Sequence, residues 1–363
     1  MSSVAHTVFV ADNTRYHAFR IPAVVRDRSQ LLAFAEGRLG SAADAAETEL
    51  VLRRSTDNGR TWSPLQVVSR APGMTCGNPT PVVDPASGDV VVLSMRNGPD
   101  VNDDLATRGA DPINGRRVYV QRSPDGGEAW SAEAEITPQV KSANWGWYAT
   151  GPCHGITLEH GEYAGRLVIP ANHAVLGPAL GADRDSLAPY SGGHCILSDD
   201  GGHSWRIGFA DDNPDTVINA NETTVVELAD GRVLFNARNH RGSGSARVQA
   251  ISVDGGETLT GPYSEVPEIT APGIQGSVVR FGDRLLLSTP ADPERRRRLS
   301  VFASDDDGLS WRTGIVLHPG PAGYSDLVPL EDGRVGILYE SGDADDASSF
   351  ACIRFQSFDP RTF

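Results

Sequence analysis

The chain has 363 residues and a formal net charge of −15, with 39 glycines and 24 prolines. That length is enough to bury a large core. The acidic charge argues against nucleic acid as a partner, because binding to phosphates depends largely on Lys and Arg, so any anion site requires a local cluster of cations. Since neither a membrane-spanning apolar run nor a signal-peptide pattern is evident, we expect a cytoplasmic protein without membrane association, unless a leader has been removed.

Four cysteines lie far apart in the chain and show no spacing typical of a zinc site or a disulfide framework. Free thiols of this kind usually behave as small, buried, apolar groups. We therefore expect four buried and unpaired cysteines, at Cys76, Cys153, Cys195 and Cys352.

An octapeptide of the form S-x-D-x-G-x-x-W recurs along the chain and predicts a series of tight turns between strands. The Asp can accept hydrogen bonds from backbone N–H groups two or three residues on, and the Gly can adopt a positive φ without steric cost. The closing Trp is expected to pack on the hairpin that it ends. Short alternating apolar segments lie between the copies, as in a protein of many strands. The copies start at Ser55, Ser123, Ser198, Ser252 (degenerate, with Leu259 in place of the Trp) and Ser304.

These octapeptides resemble the Asp box of exo-α-sialidases (neuraminidases), and the chain is similar to both the bacterial and the mammalian cytosolic type. The copies start 68, 75, 54 and 52 residues apart, and a period of roughly 60 residues with four strands per unit predicts six blades. The implied fold is all-β: a six-bladed β-propeller of four-stranded antiparallel blades, forming one catalytic domain over residues 1–363. In that family the boxes lie away from the active site, so we interpret their carboxylates as scaffold rather than as catalytic groups or calcium ligands.

Near the N-terminus, FRIPAVV resembles the sialidase F/Y-R-I-P motif, in which the arginine, here Arg20, binds the sugar carboxylate. The next block, LLAFAEGRLGSAADAAETELVLRR, resembles the segment that supplies the acid/base from a loop. Asp44 is the only Asp on that loop and is assigned this role, with Glu47 as the second choice. Arg38 matches a secondary arginine near the substituents of the sugar ring.

Two segments in the middle of the chain depart from the pattern of the animal enzymes. Gly77 in CGNPTP replaces a methionine, and VIPANHAVLG has Asn172 and His173 where those enzymes have tyrosines around the N-acetyl and glycerol pocket. These departures leave the preferred substituent at C5 of the sugar open. Trp147 and Tyr148, between the two segments, are candidates either for the aglycone side of the site or for a buried structural role.

The block NANETTVVELADGRVLFNAR resembles the family segment that supplies the partner of the nucleophile, here Glu222, and the second carboxylate-binding arginine, here Arg238. The strand, turn and strand between them form a hairpin that can bring both ends to one face. Glu227 is a competing acid in this block, which we expect to be solvated. Upstream, His154 is expected to be a hydrogen-bonded loop residue rather than a ligand.

The following block should hold the third carboxylate-binding arginine, within a run of four. The family places it three residues before the residue that opens the next strand, and counting back from Leu299 selects Arg296. The other three arginines, at 295, 297 and 298, are expected to be solvated, as is usual for a charge run. Gln275 matches a family glutamine near the sugar.

The last block, AGYSDLVPLEDGRVGILYE, resembles the family segment in which the tyrosine, here Tyr324, is the nucleophile and the final glutamate, here Glu340, holds the first arginine. The resemblance implies a retaining exo-α-sialidase that releases terminal sialic acid from oligosaccharides, glycoproteins or glycolipids. The reaction would pass through a covalent tyrosyl-sugar intermediate and need no metal or organic cofactor. The alternatives are a hydrolase of a related ulosonic acid such as deaminated sialic acid, a trans-sialidase, and a propeller that binds sialosides without catalysis.

Overall fold

The computed structural model describes residues 4–12, 14–98, 115–175, 191–211, 218–240, 246–342 and 348–363. Strands dominate this part of the chain. Its regular helical segments are one α-helix, α1 (Thr137–Val140), and two short 3-10 turns at Gly161–Tyr163 and Pro360–Thr362. Within these ranges no helix is long and apolar enough to cross a bilayer.

The strands form six antiparallel units, numbered here along the chain, and the first three units come from residues 18–210. Unit 1 consists of β2 (Ala18–Asp27), β3 (Gln30–Arg38), β4 (Thr48–Ser55) and β5 (Gln66–Ser69). Unit 2 consists of β6 (Thr75–Val83), β7 (Val90–Asn97), β8 (Arg117–Ser123) and β9 (Ala134–Glu135). Unit 3 consists of β10 (Trp145–Thr150), β12 (Leu167–Val175), β13 (Ser191–Ser198) and β14 (Arg206–Ala210), with β11 (Ile156–Thr157) added beside β12.

The other three units follow the same plan. Unit 4 consists of β15 (Ala220–Glu227), β16 (Val233–Asn239), β17 (Ala246–Ser252) and β18 (Ser264–Thr270). Unit 5 consists of β19 (Ser277–Phe281), β20 (Arg284–Pro290), β21 (Arg297–Ser304) and the first half of the long strand β22 (Arg312–Pro329). Unit 6 consists of the second half of β22, β23 (Val335–Ser341), β24 (Cys352–Phe358) and β1 (His6–Val10).

The N-terminal strand closes the ring. β1 pairs antiparallel with β24, so unit 6 combines strands from both ends of the described chain. Unit 5 passes directly into unit 6 within β22, which pairs with β21 as far as Pro321 and with β23 from Ala322. Six four-stranded antiparallel units in a closed ring confirm the six-bladed β-propeller that the sequence predicts.

The core lies between the blades. In the described residues, six clusters of buried apolar side chains each fill one of the six interfaces between neighbouring units, and a seventh, smaller cluster includes Ile21 and Tyr324. Strand β3 shows how the sequence achieves this: Leu31, Ala33 and Ala35 face unit 6, whereas Leu32 and Phe34 face unit 2. Because successive side chains of a strand point to opposite faces, a strand that is covered on both faces reads as a continuous apolar run.

Each Asp box lies at the end of the third strand of units 1 to 5 and leads into the fourth strand. In the first box, Ser55 Oγ donates to Asp57 Oδ1 at 2.8 Å and accepts from Gly59 N at 2.9 Å, while Asp57 Oδ1 accepts from Thr61 N at 2.9 Å. The degenerate box at Ser252 keeps the same bonds. The five box glycines have φ angles between 80° and 94°, as the turn requires.

The sixth blade has no box, because its fourth strand is β1 and no turn joins it to β24. The box tryptophans do more than cover their own hairpins. Trp62 donates to Gly59 O at 3.1 Å and packs edge-on against Phe355 of unit 6, and Trp130 packs edge-on against Phe34 of unit 1. These side chains therefore help to seal interfaces between blades. The four cysteines are buried and free, as predicted.

Candidate active site

One end of the propeller carries most of the residues identified from the sequence. First strands begin at this end and second strands finish there, whereas the Asp boxes follow the third strands and so lie at the opposite end. A cavity of about 290 Å³ opens at the first end. Its ionisable wall consists of five arginines, three carboxylates, one phenol and one imidazole: Arg20, Arg38, Arg116, Arg238, Arg296, Glu36, Asp44, Glu222, Tyr324 and His240. An acidic chain thus provides the local excess of cations that an anion site requires.

Irregular pairing of the inner strands turns side chains toward this cavity. Five first strands shift register against their second strands, at Arg20–Ala23, Gly77–Thr80, Trp145–Tyr148, Ala220–Thr223 and Ala322–Ser325. Such bulges leave residues outside the ladder and re-aim a side chain. The residues within them that line the cavity are Ile21, Asn78, Trp147, Asn221, Glu222 and Tyr324. Ile21 has a φ of 56°, a conformation that is rare and costly for a β-branched residue.

Tyr324 and Glu222 form a hydrogen-bonded pair in the cavity. The Tyr324 hydroxyl donates to Glu222 Oε1, and Arg238 Nη1 donates to Glu222 Oε2 at 3.1 Å. Burial, reinforced by the Glu222 charge, raises the pKa of the Tyr324 phenol well above its usual range, although three neighbouring arginines oppose the shift. The phenol is therefore neutral at physiological pH, and its proton already faces a carboxylate acceptor.

Glu340 holds Arg20 from beneath the cavity. Arg20 Nε donates to Glu340 Oε1 at 2.7 Å, and the same carboxylate accepts from Ile21 N at 2.9 Å and from Tyr324 N at 3.0 Å. Burial alone would lower the pKa of Arg20, but the Glu340 charge outweighs it and the pKa is raised. One buried carboxylate thus fixes both a permanently charged guanidinium and the backbone of the tyrosine.

Arg296 comes from the loop between β20 and β21. Its guanidinium lies 5.8 Å from the centroid of the Tyr324 ring, compared with 5.1 Å for Arg20. Arg296 is half-buried and lines the cavity, whereas its neighbours in the run, at 295, 297 and 298, are exposed. The structure therefore brings one arginine of the run to the site. With Arg20 and Arg238, it surrounds the phenol with three cations.

Asp44 stands at the mouth of the cavity, on the loop between β3 and β4, with its side chain 69% exposed. Asp44 Oδ1 lies 2.7 Å from Arg38 Nη1 and 3.9 Å from Arg20 Nη1. Partial desolvation at the cavity mouth raises the pKa of Asp44, but the charges of Arg38 and Arg20 outweigh that effect and hold the pKa below its usual range. Glu47, the second choice for the acid/base, is exposed and does not line the cavity.

Glu36 is a cavity residue to which the sequence analysis assigned no role. Its Oε2 accepts from Arg38 Nε at 3.0 Å and Nη2 at 2.7 Å, and its Oε1 accepts from Asn78 N at 2.9 Å. Any Cβ at position 77 would overlap the Glu36 carboxylate, so Gly77 leaves the room that Glu36 occupies. The signal was present in the sequence, because Glu36 and Arg38 are two apart on one strand and must share a face.

On the far wall of the cavity, Arg116 stacks on Trp147, and only Trp147 of this pair was a candidate from the sequence. The Arg116 guanidinium lies 3.5 Å from the centroid of the Trp147 ring, and both residues line the cavity. Tyr148, by contrast, is fully buried and faces away. Trp147 Nε1 donates to Asn172 Oδ1 at 3.1 Å, and Asn221 Nδ2 donates to the same oxygen at 3.3 Å. Asn172 therefore supports the wall from behind rather than facing the cavity.

Two expectations from the sequence are wrong, for Glu227 and Gln275, and one is confirmed, for His154. Glu227 is not solvated: it is buried, and its carboxylate accepts from the backbone N–H groups of residues 159 and 160 at 2.7 and 3.0 Å. Gln275 does not line the cavity, because its side chain lies fully buried beneath it and bonds to Pro152 O and to both backbone groups of Ser325. His154 is hydrogen-bonded in a loop, as expected, with its Nδ1 2.7 Å from Asp326 Oδ1.

His173 also lies beneath the cavity rather than in its wall. Its Nδ1 is 3.1 Å from His194 Nδ1, and its ring stacks on Trp145 with 3.8 Å between the centroids. Both imidazoles are fully buried. Burial lowers the pKa of His173 to about 3 and that of His194 well below its usual value, so both rings are neutral in the folded protein. In the described part of the chain, no group of three or more His, Cys, Asp or Glu side chains is placed to hold a metal ion.

The family model for a BNR repeat-like domain matches residues 29–337. The chain is 34% identical to a sialidase of Micromonospora viridifaciens over 89% of its length, while it spans only 50% of that longer relative. It is 30% identical to an exo-alpha-sialidase of Aspergillus fumigatus, covering 94% of this chain and 84% of that one. Among solved structures, the Hadza microbial sialidase Hz136 superposes with a TM-score of 0.83 at 28% identity, over 99% of this chain and 69% of that one. The chain therefore belongs to the exo-α-sialidases, a family of glycoside hydrolases with a BNR repeat-like domain.

Proposed function

We propose that the protein is a retaining exo-α-sialidase that hydrolyses terminal sialic acid from oligosaccharides, glycoproteins or glycolipids. The observation that carries the proposal is the Tyr324–Glu222 pair, surrounded by three arginines at one end of the propeller. Arg20, Arg238 and Arg296 would bind the carboxylate of the sugar, because guanidinium groups stay charged and make paired hydrogen bonds to carboxylates. The three arginines give this part of the cavity a local positive charge that can bind an anionic sugar, although the net charge of the chain is negative.

The nucleophile in this proposal is the Tyr324 hydroxyl. The anomeric carbon of sialic acid already bears a carboxylate, so a carboxylate nucleophile would be repelled, whereas a neutral phenol would not. Because burial raises the pKa of the phenol, its proton has to leave as the new C–O bond forms. Glu222 would accept that proton, and Tyr324 would then be bonded to the sugar through its oxygen.

Asp44 would act as the acid and then as the base. It would protonate the aglycone oxygen as that bond breaks, and later take a proton from the water that releases the sugar from Tyr324. In the free protein the pairing with Arg38 and Arg20 favours the ionised form of Asp44. A bound sugar carboxylate would compensate the charge of Arg20, which raises the pKa of Asp44 and favours the protonated form that the first step needs.

The test is to trap the intermediate. A sialosyl fluoride with a second fluorine beside the anomeric carbon should react with wild type and slow the release of the sugar. We expect mass spectrometry to find the sugar on the peptide that contains Tyr324. Tyr324→Phe should take up no label, and its kcat on an aryl α-sialoside should fall by roughly 10³-fold or more.

Tyr339→Phe is the matched control, since Tyr339 is a buried tyrosine of the same blade that bonds to Gln356 outside the cavity. It should keep wild-type labelling and turnover. A label on Glu222 or Asp44, or an inverted first product, would show that the nucleophile is not Tyr324. Comparing kcat/KM for N-acetylneuraminyl and deaminated substrates then identifies the preferred group at C5.

A further inference from the structure

A short loop on the propeller axis, residues 151–155 between β10 and β11, links blades that strand pairing leaves apart. We propose that His154 in this loop is a positioning residue, which holds Tyr324 in line with Glu222. The inference rests on the proposed function, since it concerns how that catalytic pair is aligned. We call residues 151–155 the axial plug.

The axial plug belongs to unit 3 and bonds directly to units 2, 4, 5 and 6. Gly155 N donates to a backbone oxygen of β6 at 2.9 Å, and a side-chain amide just before β19 donates to the plug at 3.1 Å. Thr223 N, in β15, donates to Gly151 O at 3.1 Å. His154 Nδ1 lies 2.7 Å from Asp326 Oδ1 in β22. The plug therefore connects four other units to one another through hydrogen bonds.

No β-ladder joins the two members of the catalytic pair, so their relative position depends on other contacts such as those of the plug. Glu222 is on β15 in unit 4 and Tyr324 on β22 in unit 6, with unit 5 between them. Both residues also lie in bulges, where the ladder to their own second strand is interrupted. The plug holds the residue next to Glu222 and the residue two beyond Tyr324, namely Thr223 and Asp326. It thus spans the gap that strand pairing leaves.

His154 is the plug's polar link to the strand of the nucleophile. Asp326 is fully buried and also accepts from Val24 N at 2.8 Å and Ser277 Oγ at 2.7 Å, so it ties units 1, 3, 5 and 6 together. Tyr324 and Asp326 are alternate residues of one strand, so a shift of Asp326 moves the tyrosine with it. Moving a reacting group by about 1 Å can cost roughly 100-fold in rate.

Other ionisable groups also lie around this link. Cys153 from the plug, Glu222 from β15 and Arg247 from β17 interact electrostatically with one another, and Cys153 does so with Asp326. Burial lowers the pKa of His154, but the Asp326 charge outweighs this and the pKa is raised. The role of the His154–Asp326 pair can be tested by replacing the imidazole of His154 with groups that keep or lose a donor at the position of Nδ1.

The experiment compares His154→Ala and His154→Asn with wild type on an aryl α-sialoside, with kcat expressed per active site from the trapped sugar. His154→Ala should lower kcat roughly 10- to 100-fold and change KM less than about threefold, since Glu340 still holds Arg20. His154→Asn, whose amide replaces Nδ1, should recover most of kcat. Thr157→Val is the matched control: it removes a 2.7 Å bond from β11, two residues beyond the plug, to Val83 O, away from the cavity. It should lower the melting temperature without changing kcat.

Each result decides the matter. A folded His154→Ala with kcat within about twofold of wild type overturns the inference, as does an equal loss of kcat in Thr157→Val. A raised KM with kcat retained would place the effect on the arginines instead and also overturns it. If His154→Ala does not fold, His154→Phe carries the same test, because it fills the space without the nitrogen. A wild type without activity on any sialoside overturns the proposed function and this inference together, whereas an active wild type with unaffected His154 variants overturns this inference alone.

Discussion

The two ends of the propeller are built from different kinds of contact. At the Asp-box end, each turn is held by bonds between residues two to four apart, such as Asp57 to Thr61. At the cavity end, the decisive bonds join residues 102 positions apart in the Tyr324–Glu222 pair and 320 apart in the Arg20–Glu340 pair. Local turns can form as soon as their own residues meet, whereas the cavity exists only when the ring has closed.

This difference separates stability from function. A box side chain touches its own turn and the neighbouring blade, so its loss should weaken the fold locally and leave the cavity intact. A residue beneath the cavity holds several blades at once, so its loss should affect both the fold and the chemistry. The following predictions test that separation, in order of decreasing effect.

The largest effect is expected from Glu340→Ala. The variant leaves Arg20 buried without its main counter-charge and removes the acceptor for two backbone N–H groups, so the free energy of unfolding should fall by about 3–5 kcal/mol. Urea titration measures this. The control is Glu331→Ala, which removes an exposed partner 3.3 Å from Arg26 and should cost less than about 1 kcal/mol. Similar losses in the two variants would contradict the distinction between the two kinds of contact.

Acid should weaken the cavity end before the box end. His173 and His194 are neutral in the folded protein but ionise near pH 6.5 once unfolded, so their stabilisation is complete above that pH and declines as the pH falls below it. With the pKa of His173 at about 3, that histidine alone should cost about 2 kcal/mol at pH 5 relative to pH 8.

Unfolding titrations between pH 8 and pH 5 for wild type and His173→Gln measure this dependence, and the variant should show a shallower slope. His154 contributes with the opposite sign, because its pKa is raised, so the difference between the two proteins is the readout. The carboxyl of Asp57, with a pKa of about 2, stabilises the fold above about pH 4 and loses this effect only as the pH falls toward 2. An unchanged slope in His173→Gln would argue against the histidine pair as the acid-sensitive element.

The smallest effect is expected at the boxes themselves. Asp57→Ala removes an acceptor for Thr61 N, Thr61 Oγ1 and Arg60 N and should cost about 1 kcal/mol, as for a lost helix cap, with kcat unchanged. Thermal unfolding and sialoside hydrolysis measure the two quantities. Asp332→Ala, which removes only one exposed acceptor, should cost less. A clear loss of kcat in Asp57→Ala would show that the two ends are coupled.

Much of this fold can be predicted from sequence because the same turn, held by short-range hydrogen bonds, recurs along the chain. The box octapeptide specifies a turn within eight residues, and its recurrence predicts the number of blades. The five boxes fall one short of six blades only because β1 closes the last one. The motifs with Arg20, Arg238 and Tyr324 also lie in the cavity that the structure forms, since each motif fixes a residue near a strand end.

The tertiary structure decided what no segment encodes alone. Five bulges, invisible in the alternation of apolar residues, choose which side chains face the cavity. Glu36 and Arg116 join the wall, Gln275 stays beneath it, and Glu227 is buried because distant backbone N–H groups need an acceptor. The sequence by itself determined the blades and the motif positions, because bonds within a turn depend only on neighbouring residues. The arrangement of the cavity depends on bonds between blades, and these exist only once the ring is closed.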